Sequence, residues 1–232
     1  MIKALVFDFD GLIIDTETAW YRSYLQAMEE EGLTFPLELF CRCVGTHDDE
    51  LIAYIAEQAG SDERLARIRT NAALLHEDMM RETDAREGVR SFLEDARAAG
   101  LGIGLATSSN RAWIDRFLGR LGLLPYFDVI LTKDDVTEIK PDPELYLRAT
   151  AALGVRPSEA VAFEDSVNGA KAAKAAGLQC IIVPNAVTER LVFENYELRI
   201  ASMGDYKLAN LLSELTKLVE GAGGRAFGSG PA

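Results

Sequence analysis

The chain has 232 residues and 48% hydrophobic content, enough for a sizeable core in one large domain or two small ones. Its formal charge of −13 argues against nucleic acid or an anionic membrane as a partner, and means that a phosphate ligand must be met by local positive groups. Three cysteines make no disulfide framework, no apolar run reaches membrane-spanning length, and the first apolar run meets Asp8 and Asp10 too early for a signal peptide, so the expected location is cytoplasmic.

Ile2 to Phe7 is an apolar run rich in Val, Leu and Phe, and it reads as a strand buried on both faces of a parallel sheet. It ends in Asp8-Phe9-Asp10-Gly11. Ligands of such sheets bind at the carboxyl ends of strands, which is where both aspartates fall. Two carboxylates this close repel unless a proton or a cation lies between them; the alternative is an ordinary polar turn. From Thr16 to about Thr83 helical periodicity takes over, with apolar residues recurring at three- and four-residue spacing (Trp20, Tyr24, Ala27, Met28; Leu65, Ile68, Ala72, Leu75). This predicts a small helical bundle inserted after the first strand.

From Gly88 helices and strands alternate. Helices are expected over 89–99, 111–121, 143–153, 167–176 and 207–219, and strands over 102–106, 128–131, 160–163 and 179–183. Such alternation predicts right-handed crossovers and a parallel sheet covered by helices. The expected organisation is an α/β core of residues 1–15 and 84–220, a helical cap of 16–83, and a Gly-rich flexible tail of 221–232.

Residues just past the strands of a parallel sheet converge on one edge. Here they are Asp8 and Asp10, Thr107-Ser108-Ser109-Asn110, Lys140 ahead of Pro141, and Glu164-Asp165. Each group has a plain alternative as a helix cap or helix-starting loop. Taken together they suit a phosphate beside a divalent cation. Asp8, Glu164 and Asp165 are the candidate ligands of Mg²⁺, with the Asp10 carbonyl in reach of the same ion. Thr107 and the amides of Ser108 and Ser109 are candidates for phosphate oxygens, and Lys140 for neutralising phosphate and nucleophile. Asp8 could attack phosphorus, and Asp10 could protonate the leaving alcohol and later deprotonate water.

The four segments Asp8-Phe9-Asp10-Gly11, Leu105-Ala106-Thr107-Ser108-Ser109, Lys140-Pro141-Asp142-Pro143 and Phe163-Glu164-Asp165-Ser166 resemble the ordered motifs of the haloacid dehalogenase superfamily. Asp15-Thr16-Glu17 and the helical insert resemble its β-phosphoglucomutase-like branch. The resemblance implies a Rossmann-like core, Mg²⁺ dependence, an aspartyl phosphate on Asp8 and acid/base work by Asp10. Dehalogenases of the superfamily lack the second aspartate, which is present here. Phosphonoacetaldehyde hydrolases need a cap lysine, and residues 16–83 contain none. The related mutase uses a cap histidine and a basic pair for its second phosphate, where this chain has Trp20 and the acids around Gly45-Thr46-His47-Asp48-Asp49.

The expected activity is therefore hydrolysis of a small phosphorylated metabolite such as a sugar phosphate, by a monomer or dimer. A hexose-phosphate mutase and a silent binding protein on the same fold are the alternatives. Trp20 and His47 are the cap candidates for touching substrate, with an exposed loop position as the other reading of His47; His76 is expected to be structural.

Overall fold

The computed structural model describes residues 1–44 and 49–223. Six strands, β1 (Ala4–Phe7), β2 (Gly102–Ala106), β3 (Val129–Leu131), β4 (Ala160–Glu164), β5 (Gln179–Ile182) and β6 (Leu198–Arg199), form one sheet in the order β3-β2-β1-β4-β5-β6. Every pairing is parallel. The chain runs outward from β1 in one direction through β2 and β3, and in the other through β4, β5 and β6. The order therefore reverses between β1 and β4, and a crevice opens at the carboxyl ends of these two strands.

Side chains alternate across the sheet as the pleat requires. Leu5, Phe7, Ile103, Leu105, Val161 and Phe163 join a core on one face with helices α5 (Val89–Ala98), α6 (Arg111–Leu121) and α9 (Leu208–Gly223). Ala4, Val6, Ala160 and Ala162 join a second core with α7 (Glu144–Ala152) and α8 (Val167–Ala175). All ten strand side chains are fully buried, and each Leu, Ile or Phe among them contributes about 1.5–3 kcal/mol by leaving water. Gly102 and Gly104 lie under Leu153, where an added Cβ would sit 3.3 and 3.2 Å from its methyl carbons. Close packing by α7 accounts for these two glycines.

Between β1 and β2 the chain forms α1 (Thr16–Glu30), α2 (Leu37–Cys43), α3 (Asp49–Ala59) and α4 (Asp62–Arg81). They share a third apolar cluster, including Phe35, Phe40, Ile55, Ile68 and Ala72, which also takes in Val187 from the loop after β5. Asp15 and Ser61 cap the backbone at the starts of α1 and α4. Helix α6 grips α4. Arg116 pairs with Glu77, and Arg120 donates to the carbonyls of Met80, Arg81 and Thr83 at the end of α4.

The helices and strands from Gly88 fall where the pattern places them, to within one or two residues, except at the C-terminus. There α9 runs through Gly223, beyond the expected end at Val219 and into the segment read as tail. Residues 224–232 of that segment lie outside the described residues. So does His47, with Gly45, Thr46 and Asp48. Cys41, Cys43 and Cys180 are buried and none of them forms a disulfide. Among the described residues, no helix is long and apolar enough to cross a membrane.

Candidate active site

The register of β1 against β4 pairs Phe7 with Phe163, whose rings stack at 4.9 Å, and the Asp8 amide donates to the Phe163 carbonyl at 3.0 Å. Asp8 and Glu164 are therefore neighbours across the reversal point. Asp165 follows, and oxygens of Asp8, Glu164 and Asp165 lie within 4.8 Å of one another, all three residues buried. Lys140, 4% exposed, reaches into the cluster from the loop before α7 and donates to Asp8 Oδ1 and Glu164 Oε1, each at 2.6 Å.

One ammonium among three carboxylates leaves the cluster short of positive charge. Burial, reinforced by the Glu164 charge and only partly offset by Lys140, pushes Asp8 up to about 7. Burial and the Asp8 and Glu164 charges push Asp165 well above the usual carboxylate range. Burial alone would lower Lys140; the Asp8 and Glu164 carboxylates outweigh it, so its pKa is raised.

The two adjacent acids differ in how they are held. Glu164 accepts from Lys140, from Tyr146 Oη at 2.5 Å and from the Ser166 amide and hydroxyl, which engages both of its oxygens. Its carboxylate lies over Gly169 of α8, where a Cβ would come within 2.0 Å of it. Asp165 accepts from Asn185 Nδ2 at 2.7 Å through Oδ2, while its Oδ1 is buried with no hydrogen-bond partner. A buried orphan carboxylate oxygen beside two further carboxylates fits a hard divalent cation, which takes oxygen ligands. Gly11, at φ +77°, passes so close that a Cβ would meet Asp165 Oδ2 at 2.1 Å. The glycine of the first motif thus serves both the turn and the carboxylate.

Asp10 faces the other way. Its Oδ2 accepts from Ser109 Oγ at 2.6 Å and its Oδ1 from Trp113 Nε1 at 3.0 Å. Burial raises its pKa, against the lowering effect of Ser109, Trp113 and Thr16. Thr107 is buried, with Oγ1 accepting from the Ser109 amide at 3.1 Å, which leaves its hydroxyl proton for another acceptor. The Ser109 amide, a candidate for phosphate, is thereby turned onto Thr107. Ser108 Oγ is buried and without a partner.

These groups line one cavity of about 440 Å³. Asp8, Asp10, Thr107, Ser108, Ser109, Lys140 and Asp165 form its floor, and Glu17, Trp20, Tyr24, Phe40, Cys43, Val44 and Leu51 come from the helical insert. Trp20 stacks on Tyr24 at 5.7 Å and on His76 at 3.7 Å. The plain readings hold for part of each motif. Asn110 caps α6, Ser166 caps α8 and Asp142 caps the turn into α7, while their neighbours reach the cavity.

Several residues escape the motif reading. Asn185, past the end of β5, orients Asp165 and is itself fixed by the amides of Val187 and Thr188. Arg86 donates to the carbonyls of Gly11, Val183 and Pro184, tying the loop after Asp10 to the end of β5. Tyr146 and Trp113 sit on helices. The strand-end rule, applied to β5, points to Asn185; nothing in periodicity marks the other three.

His76 is 3% exposed with Nε2 unpartnered, and burial lowers its pKa to about 4. The unfolded chain, at about 6.5, takes up the proton first, so stability present above pH 6.5 is lost as pH falls towards 4. The expected loss between pH 7 and 4.5 is about 2–3 kcal/mol, and His76→Phe removes this component. Urea unfolding of both proteins at the two pH values checks it.

The haloacid dehalogenase-like hydrolase family matches residues 5–183. The "Putative phosphatase YhcW" of Bacillus subtilis is 47% identical over 219 residues, 93% of this chain and 98% of that protein. The "Phosphorylated carbohydrates phosphatase" of Thermotoga maritima is 33% identical over 184 residues, 78% of this chain and 84% of that one. A crystal structure of β-phosphoglucomutase from Clostridium difficile has the same fold, with a TM-score of 0.73 at 22% identity over 95% of this chain and 100% of that one. With its four motifs on one sheet edge and a match over most of its length, the chain belongs to the haloacid dehalogenase-like hydrolase family.

Proposed function

We propose that the protein is a Mg²⁺-dependent phosphatase of a phosphorylated sugar or similar small metabolite, working through an aspartyl phosphate on Asp8. The observation that carries this reading is the division of labour between the two aspartates. Asp8 lies in the carboxylate cluster that Lys140 leaves short of positive charge, and Asp10 is held apart from it by Ser109 and Trp113 in the same cavity.

Asp8 and Asp165, with Glu164 as a third oxygen donor and the Asp10 carbonyl beside them, would hold the Mg²⁺. When bound, the ion would neutralise charge on the phosphoryl oxygens and on the cluster. Lys140 fixes Asp8 Oδ1, so the carboxylate is oriented before the substrate arrives. Thr107 and Ser108 supply hydroxyls to the phosphoryl oxygens. A carboxylate oxygen of Asp8 bonds to phosphorus as the phosphorus–oxygen bond to the alcohol breaks, and Asp10 gives its proton to the leaving oxygen. Asp10, now ionised, takes a proton from water. The water oxygen then bonds to phosphorus, the bond to Asp8 breaks, and phosphate is released.

Residues 1–15 and 84–220 would supply this chemistry, and 16–83 would cover it as a cap that excludes water. The aromatic pair Trp20 and Tyr24 with Glu17 suits a polyhydroxylated ligand, having apolar faces for C–H groups and a carboxylate for hydroxyls. Among the described residues, the cations lining the cavity, Lys133 and Lys140, both come from strand-end loops and none from the insert. A second phosphate therefore has no clamp there, which favours a monophosphate and transfer to water over a mutase cycle.

Phosphate release from a panel of sugar monophosphates with and without Mg²⁺ tests the reading; turnover that is indifferent to chelation would contradict it. Asn185→Leu removes the partner of Asp165 Oδ2. The expected result is a ten- to hundredfold rise, in round terms, in the Mg²⁺ concentration for half-maximal activity, read by metal titration.

A further inference from the structure

Asp10 has both carboxyl oxygens held from α6 and the loop leading into it. The two holders are not equivalent. Ser109 Oγ can donate or accept, whereas an indole N–H only donates. Oδ1 is therefore held as an acceptor by the indole, and the two contacts together fix the rotation of the carboxyl group. The indole is itself fixed. Its ring meets Phe117 at 4.4 Å and 58°, and His76 at 5.9 Å and 21°. His76 stacks in turn on Trp20 at 3.7 Å and 9°. Trp113 and Phe117 belong to α6, His76 to α4 and Trp20 to α1, so the column runs from the covering helices to the Asp10 carboxyl.

We propose that Trp113 is a positioning residue that sets the rotation at which the Asp10 carboxyl faces the leaving group, and that the Trp20–His76–Trp113 column makes this placement depend on the seating of α1 and α4 over the core. The inference rests on Asp10 being the acid/base of the proposed reaction. A carboxyl without the indole can rotate, so only a fraction of molecules presents it to the leaving group. The defect is then largest for leaving groups that most need a proton.

The test uses full-length Trp113→Phe, which keeps a ring in the stack and loses the N–H. With Mg²⁺ present, kcat/KM is measured for aryl phosphates graded from p-nitrophenyl phosphate, an activated leaving group, to phenyl phosphate, a poor one. The expected result is that phenyl phosphate loses about tenfold more than p-nitrophenyl phosphate, and that Asp10→Asn steepens the series further. A uniform loss across the series in Trp113→Phe, with a steepened series in Asp10→Asn, overturns the role of Trp113 and leaves the acid/base reading standing. A series unchanged in slope in Asp10→Asn overturns that reading and this inference with it. His76→Leu and Trp20→Leu are expected to steepen the series in the same direction. Unchanged slopes in both overturn the link to α1 and α4.

Discussion

Replacing Asp8 by asparagine is expected to abolish phosphate release while leaving the protein folded. The amide removes the nucleophile and one of the three carboxylates that crowd the end of β1 and β4. Loss of a covalent nucleophile typically lowers kcat by on the order of 10⁴–10⁶-fold, which places the variant at the limit of a colorimetric assay. The same change relieves a charge conflict. Asp8 stands at about 7 because burial and Glu164 oppose its ionisation. Its folded pKa therefore lies above its unfolded value, so ionising it costs stability as pH rises through that interval. The metal-free variant is expected to be at least as stable as the parent above pH 7, measured by urea unfolding in chelator. A variant that is both inactive and strongly destabilised would mean that Asp8 serves the fold rather than the reaction.

Lys140→Met is expected to have the opposite signature. The ammonium is buried and is the cation that contacts both Asp8 and Glu164. Removing one partner of a buried ionic group leaves the others uncompensated, at a cost of about 3–5 kcal/mol. That cost depends on the carboxylates staying ionised. It should be largest in chelator at pH 8 and shrink towards pH 6, as Asp8 takes up a proton, and Mg²⁺ should recover part of it. Activity should fall by about 10²–10³-fold even when the protein is folded, because a fixed charge beside the transferring group is lost. Unfolding curves at both pH values, with and without Mg²⁺, read the stability component; steady-state kinetics read the other. Equal destabilisation at pH 6 and pH 8 would contradict the charge balance described for the cluster.

Much of this site is legible in the chain because a parallel sheet turns sequence position into spatial position. Asp8, Thr107 and Glu164 are distant in sequence, yet each stands at or just past the carboxyl end of a central strand. The apolar runs of β1, β2 and β4 are buried on both faces and announce themselves. β6 does not, because Leu198 and Arg199 carry no run and acquire strand geometry only by pairing with β5. Trp113 and Tyr146 are hidden for a different reason. On α6 and α7 they read as members of an amphipathic face, and their polar tips find Asp10 and Glu164 only in the folded chain. The position of His76 on α4 likewise says that it is covered without saying that Trp20 and Trp113 flank it.

Glycine shows how far local reading goes. A polar turn is the plain alternative for the first motif, and the φ of +77° at Gly11 agrees with a turn there. That its missing Cβ also makes room for Asp165 is a tertiary fact. Gly169 has the same relation to Glu164 within a helix, where propensity alone would favour alanine. In both places a small residue beside a buried carboxylate marks the site as clearly as the acids do.

Acid quench of the enzyme during turnover of its best sugar monophosphate, followed by peptide mass spectrometry, tests the covalent route most directly. The structure leads us to expect a phosphoryl adduct on the peptide containing Asp8, formed and lost at rates compatible with kcat and absent from Asp8→Asn. Turnover with no adduct on that peptide, or with the adduct on another residue, would contradict the account.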